Sequence, residues 1–502
     1  MNPLGATSAG VAVEARARMP GRLAIWLFAS FQFFYLVTST GRVRTPDEYN
    51  ILYTTESLVL HGSTAVPQAV ALHNFYGRYD LHGQPRAAYP PGQALLCAPW
   101  YALGEYVLAR FAGVPREDTD LVVAFSTCLS SATYSALAVT FFYLLLAGIG
   151  LPERASLLSA IVVGLATPIF AYSGWLFSEP LSAAIFMGVA LLLFGRGAAP
   201  VSYHAAAVAG LILGLATFVR PTNVLAIAAF ALAVLVRDGK PGLRSSLLLC
   251  VAASVGVAGL LAHNTLLFGG PFQFGYPTVA EGAKRLNSFD TPMWKGLYGF
   301  LLSPGKSVFL FAPPLLVALA GVRRLWKVDR GVATVASVLP VIYLLFYARY
   351  SQWEGGYCVG PRYMVPSIVL LCLGLGPMLA EKDKAAHTRI RVATTVLLVV
   401  GFCVQCISLA TSFMEDQVPR GHYYDANWTY QLGYSLRGQI GLLGKYLGSA
   451  EPARLGLGWD RWFVFLHKGG IAGGTLAIWG LVMLVGLASS VAALVRCVRA
   501  QV

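Results

Sequence analysis

Charged side chains are scarce in this chain. Asp, Glu, Lys and Arg make up 12% of its 502 residues, and only 23 of them are acidic. A soluble domain carries about twice that share, so a fully hydrated surface is excluded. Cysteine and histidine are few as well, at eight each. Cys128, Cys250, Cys372, Cys403, Cys406 and Cys497 fall in or beside apolar runs. Cys403-Val-Gln-Cys406 lies within such a run rather than at a helix start, where thiols are activated. Cys97 and Cys358 alone fall in stretches read as external, the one pair that an oxidising compartment could join. His61 and His73 read as loop residues rather than metal ligands. No short-period repeat is visible, and only the opening residues read as a disordered tail.

Apolar residues dominate what remains. They make up 56% of the chain, in runs that repeatedly reach the roughly 20 residues needed to cross a bilayer as a helix. Spans are expected at 23–40, 121–148, 155–173, 180–195, 203–219, 223–236, 245–267, 307–321, 331–347, 364–380, 392–412 and 471–494. The first run follows Arg16, Arg18 and Arg22 and lacks a small-residue cleavage site, so it reads as an anchor rather than a leader. A further stretch, 92–112, follows Tyr89-Pro90-Pro91-Gly92 and carries Glu105.

If 92–112 lies on the surface, the short loops bearing Arg237/Lys240/Arg244, Arg323/Arg324/Lys327/Arg330 and Lys382/Lys384/Arg389/Arg391 share one side with the amino terminus. The positive-inside rule prefers that arrangement. The expected fold is therefore an all-α polytopic membrane protein with about twelve transmembrane helices and one outer juxtamembrane helix. Residues 1–22 form a cytoplasmic tail. A transmembrane unit over 23–412 carries outer loops at 41–120, 268–306 and 348–363. An outer loop at 413–470 and a last span with its cytoplasmic tail at 471–502 complete the chain. The net charge of +14 follows largely from this sidedness and gives no reason to expect nucleic acid.

The long outer loops hold the polar residues. Asp47 and Glu48, in Thr45-Pro46-Asp47-Glu48-Tyr49, stand just past the first span, where two adjacent carboxylates are costly unless used. The same side receives Arg78, Arg86, Tyr89, Glu179, Arg220, Lys306, Trp353, Glu354, Tyr357 and Arg362, mostly in Gly- or Pro-framed turns where backbone can approach a ligand. Glycosyl transfer from a lipid-linked sugar fits this set. One carboxylate would take the acceptor's proton, cations would meet the leaving phosphate, and aromatics such as Trp294, Trp353 and Tyr357 would pack on sugar or isoprene. Gly305-Lys306-Ser307 spells the end of a phosphate loop, but Phe300 holds the position that demands glycine, so a nucleotide site is excluded.

These motifs resemble the GT-C superfamily of integral membrane glycosyltransferases. Asp47-Glu48 after the first span and Ala88-Tyr89-Pro90-Pro91-Gly92 look like the bacterial lipid A aminoarabinose transferase and the protein O-mannosyltransferases. Ser303-Pro304-Gly305-Lys306 and Gly355-Gly356-Tyr357-Cys358-Val359-Gly360-Pro361-Arg362-Tyr363 look like phospholipid-carrier-dependent bacterial members. The resemblance covers most of 23–380. It implies Asp47 as the catalytic carboxylate and Glu48 as its supporting acid. It further implies a polyprenyl-phosphate sugar donor, a lipid, glycan or protein acceptor, and a site on the outer face of a bacterial inner membrane. Relatives have a phosphate-binding Lys where this chain has Tyr89, so Arg78, Arg86, Lys306 and Arg362 all stay open for that role. Arg220 is either a membrane-edge anchor or a phosphate ligand. Glu179 and Glu354 are candidate substrate contacts. A divalent cation at Asp47 stays open as a cofactor, because some relatives use one and others do not. A flippase for lipid-linked sugars, or a glycan polymerase using a polyprenyl diphosphate, are the alternatives.

Overall fold

The computed structural model describes residues 5–115, 119–277, 288–410, 440 and 461–500, with side-chain surroundings from residue 21 onward. Most of the loop expected at 413–470 lies outside the described residues. Helix α1 (Gly5–Thr38) leads into an extended stretch, and Thr45 with Pro46 then restarts the helix as α2 (Pro46–His61). Gly62, in the left-handed conformation at φ 61°, stops it. After the short α3 (Pro67–Ala71), strands β1 (Gly77–Tyr79) and β2 (Pro85–Ala87) pair antiparallel with Arg78 opposite Arg86. Helix α4 (Gly92–Leu103) then runs through a π turn at Gly104–Leu108 into α5 (Ala109–Phe111).

The apolar run α6 (Asp120–Gly148) is followed by α7 (Glu153–Ala166) and α8 (Pro168–Tyr172), then α9 (Glu179–Phe194), α10 (Tyr203–Leu215), α11 (Val224–Asp238) and α12 (Gly242–Phe268). Beyond them come α13 (Met293–Leu301), α14 (Val308–Phe311), α15 (Leu315–Val328), α16 (Arg330–Arg349), α17 (Val365–Leu371), α18 (Leu375–Leu379) and α19 (Lys384–Ala410). Helices α20 (Trp462–Lys468) and α21 (Gly473–Arg499) end the described chain.

The protein is all-α apart from one hairpin among the described residues, and eight of its helices are long and apolar enough to cross a membrane. Twelve were expected. Two of the others, Glu179–Phe194 and Tyr203–Phe218, are apolar but shorter. The expected span 155–173 divides between α7 and α8 at Thr167-Pro168. That at 307–321 divides between α14 and α15 at Pro313-Pro314. Proline lacks the N–H that would continue the ladder, which hydropathy does not register. The stretch 92–112 is not among the eight, and its Glu105 accepts a 2.9 Å hydrogen bond from Thr119.

Helix α6 forms the centre, packed by α1, α4, α7 and α9, with α17 against α9 and α16. Its side chains are buried nearly throughout. Helices α10 and α12 meet at close backbone approach through small residues. A Cβ on Gly210 would come 2.2 Å from the Leu249 carbonyl oxygen, and one on Gly214 would come 2.3 Å from that of Ala253. Gly256 is as close to Gly214 from the other side. In a bilayer, where lipid is as apolar as leucine, backbone approach of this kind is what holds helices together.

Gly214→Val should therefore separate α10 from α12, costing about 1–3 kcal/mol or more from overpacking. Gly259→Ala, whose added Cβ meets Phe218 only at 3.5 Å, should be tolerated. Apparent Tm of the two purified variants in detergent checks this; equal losses would refute the packing argument.

Candidate active site

The start of α2 sends its two acids in different directions. Thr45 caps the helix, its Oγ1 accepting from the Glu48 N–H at 3.3 Å. Glu48 Oε2 answers by accepting from the N–H groups of Arg44 and Thr45, both at 3.1 Å, which completes a capping box. Its Oε1 accepts from the Leu176 N–H at 3.0 Å, tying α2 to the segment between α8 and α9. Glu48 is fully buried. Burial pushes its carboxyl up, while Arg44 and these N–H donors hold it back. Glu48 thus has no face toward a substrate: the expected catalytic assignment is corrected to a structural clamp.

Asp47, one residue earlier, faces a cavity of about 640 Å³ with its side chain 21% exposed. Its Oδ2 accepts from Arg362 Nη1 at 2.5 Å. The same guanidinium donates through Nε to Glu179 Oε1 at 2.9 Å and through Nη1 to the Gly355 carbonyl at 3.3 Å. It lies 3.9 Å over the Phe177 ring. Glu179 Oε1 accepts from Arg220 Nη1 as well. Arg220 in turn sits 4.6 Å from the Tyr363 ring, which stacks on Tyr347. Two carboxylates and two guanidiniums therefore alternate and cancel, the arrangement that buried charges require.

Arg78 is different. It lines the same cavity, carried there by β1, and donates only to the Phe274 carbonyl at 3.3 Å. Among the described residues no carboxylate pairs with it, and among them it is the one cation of the cavity wall without an acid partner. Tyrosines make up much of the wall, including Tyr76, Tyr89, Tyr276, Tyr347, Tyr350, Tyr357 and Tyr363. Burial and the nearby Asp47 carboxylate hold the Tyr89 hydroxyl well above its ordinary value, so it stays a neutral donor. Gln273, Gln352 and Thr222 add neutral polar groups, and Val224, Leu225 and Phe346 make an apolar end.

Several expected residues lie elsewhere. Lys306 is fully buried, with its Nζ 3.2 Å from both the Cys358 carbonyl oxygen and Sγ. It does not line the cavity, and the helix after it is only Val308–Phe311. Arg86 is spent on Asp80 at 2.8 Å and Thr64 at 2.7 Å, so neither cation is placed to hold a phosphate here. Trp353 is buried edge-on against Phe300, over Gly299, and Trp294 is exposed on α13. Neither lines the cavity, and nor does Glu354. No disulfide joins Cys97 to Cys358, and Cys97 contacts Ser130 instead. Glu179 was expected as a substrate contact; it lies behind the two arginines. Arg78, Tyr89, Arg220 and Tyr357 do reach the cavity. Tyr76, Tyr276, Tyr347 and Tyr350 were missed as wall residues, and tyrosine clustering in the outer segments was the available signal.

A divalent cation at Asp47 does not fit. Its carboxylate already meets Arg362, Glu48 is turned to backbone N–H groups, and Glu179 is engaged by Arg362 and Arg220. Among the described residues no three of His, Cys, Asp and Glu stand together as a metal site.

Glu48→Gln should loosen α2 at its start, because one amide oxygen cannot accept from all three N–H groups that Glu48 now serves. The expected loss is about 1–3 kcal/mol, the cost of buried N–H groups left unmet. Thermal unfolding in detergent reads it, and an unchanged Tm would rule the clamp out. In comparisons with known proteins, no family model matches this chain and no curated protein matches it, so the GT-C likeness stands on the quoted motifs alone.

Proposed function

We propose that this protein is an integral membrane glycosyltransferase. It would move a sugar from a polyprenyl-phosphate donor to an acceptor hydroxyl on the outer face of the membrane. The observation that carries the reading is a carboxylate and a guanidinium that no described acid pairs, Asp47 and Arg78, on the wall of one tyrosine-lined cavity. That cavity lies where candidate spans end: Val224 and Leu225 open α11, and Phe346 is near the close of α16.

The chemistry follows from the parts. Asp47 Oδ1 accepts no hydrogen bond among the described residues, which leaves it able to take the acceptor's proton. The acceptor oxygen then bonds the anomeric carbon as the bond from that carbon to the phosphate oxygen breaks. The electron pair leaves on the polyprenyl phosphate, whose charge Arg78 meets. One cation without a described acid partner suits the single charge of a phosphodiester donor. Tyrosine faces and the amides of Gln273 and Gln352 suit a sugar ring, and the apolar end of the cavity suits the first isoprene units.

The active face is assigned outward because the short basic loops then lie inside. On this assignment the topology is that of a GT-C enzyme, with the shorter and broken apolar helices completing the bundle. A bacterial inner membrane is the setting that the resemblance implies.

Two variants in proteoliposomes supplied with a polyprenyl-phosphate sugar test the roles. Asp47→Asn should lower kcat by roughly 10²–10⁴ while donor binding persists. Arg78→Gln should weaken donor binding, raising KM more than it lowers kcat. Undiminished turnover by Asp47→Asn would remove it as the base. Movement of the lipid-linked sugar across the bilayer without transfer would replace this reading with a flippase.

A further inference from the structure

We infer that Asn264 is a positioning residue, which fixes Arg78 at the cavity wall by holding the loop that receives its guanidinium. The inference rests on the reading of Arg78 as the group that meets the donor phosphate. It starts from a polar side chain where an apolar one would pack as well. The buried stripe of α12 runs Ala253, Gly256, Leu260, Asn264 and Phe268, and Asn264 is 1% exposed. An amide buried in such a stripe is costly unless it is hydrogen-bonded. Its Nδ2 donates to the Pro271 carbonyl at 3.1 Å, beyond the end of its own helix.

That bond sets the start of a loop that carries one side of the cavity. Gly269, at φ 84°, ends α12 in the left-handed conformation. The chain then turns back, with the Gln273 N–H on the Gly270 carbonyl at 3.1 Å. Phe272, Gln273, Phe274 and Tyr276 line the cavity, and the Phe274 carbonyl takes the bond from Arg78. Gly275 follows so close to β2 that a Cβ there would come 2.5 Å from the Ala87 carbonyl oxygen.

Arg78 reaches this loop from a two-stranded hairpin, a unit that is marginal by itself. The last turn of α12 supplies what the hairpin lacks. The Leu267 carbonyl accepts from the Leu81 N–H at 2.8 Å, and the Phe268 ring lies 5.7 Å from the Arg78 guanidinium. Asn264 holds the loop from the same turn. Hairpin and loop thus hang from one helix end, with Arg78 fixed between them. A guanidinium's bond to phosphate weakens steeply when its angle is lost. Asn264 therefore acts on donor binding, while the chemical step stays with Asp47 on α2.

The test uses the full chain in detergent, a sugar-free polyprenyl phosphate as probe, and a fluorinated phenylalanine in place of Phe274, read by fluorine NMR. Asn264→Leu keeps the packing and removes the bond. It should shift or broaden the fluorine line and weaken probe binding about tenfold, raising donor KM more than it lowers kcat. Gly275→Ala displaces the same loop from the side of β2. It should act alike, and it serves if Asn264→Leu fails to fold. Because the effect passes through Arg78, adding Asn264→Leu to Arg78→Gln should cost no further binding, which a merely structural amide would not obey. An unmoved fluorine line overturns the inference in any case. Where Arg78→Gln weakens binding, additive losses or undiminished binding by Asn264→Leu overturn it too. Where Arg78→Gln binds the probe as the wild type does, the phosphate role of Arg78 falls, and the fluorine line alone decides whether Asn264 places it.

Discussion

A guanidinium taken out of water must have its charge met where it lies. Arg362 is buried, and it gathers Asp47, Glu179, the Gly355 carbonyl and the face of Phe177 from parts of the chain far apart in sequence. The start of α2, the start of α9 and the Gly355–Tyr363 turn have to converge for that one side chain to be accommodated. Once they do, the cavity wall is largely fixed. Arg220 adds a second guanidinium on the same acid and is braced by Tyr363 and Tyr347.

The adjacency of Asp47 and Glu48 means less than it suggests on paper. Neighbouring residues in a first helical turn point about 100° apart, so one can face solvent while the other turns inward. Glu48 stitches α2 to itself and to Leu176; Asp47 is left to the cavity. One acid supplies rigidity, the other is the proposed base, and the first is the reason the second holds its direction.

Much of this was legible from the sequence. Hydropathy located the helices, although Thr167-Pro168 and Pro313-Pro314 cut two expected spans that composition alone ran together. Asp47, Arg78, Tyr89 and Tyr357 were readable as outer polar residues and do meet. Lys306, Arg86 and Trp353 carried the same kind of signal and do not. The difference lies in partners that no local pattern reveals: Lys306 is tied to Cys358, Arg86 to Asp80 and Trp353 to Phe300. Partners 6 residues away for Arg86, 52 for Lys306 and 315 for Arg362 decide which cation is spoken for, and that is a property of the fold.

The hairpin that carries Arg78 is a two-stranded ribbon of three-residue strands, held to the helical body in part by the Leu81 N–H on the Leu267 carbonyl at 2.8 Å. Asp47, by contrast, is bolted through Glu48 and Arg362 into the centre of the bundle. On the proposed reading, the base and the anion-holding group are thus mounted on separate supports, a helix start and a short hairpin. Lengthening or retuning the hairpin would re-aim the cation without disturbing the carboxylate. On the proposed reading, selectivity for the head of the donor can therefore be changed at the hairpin while Asp47 keeps its place.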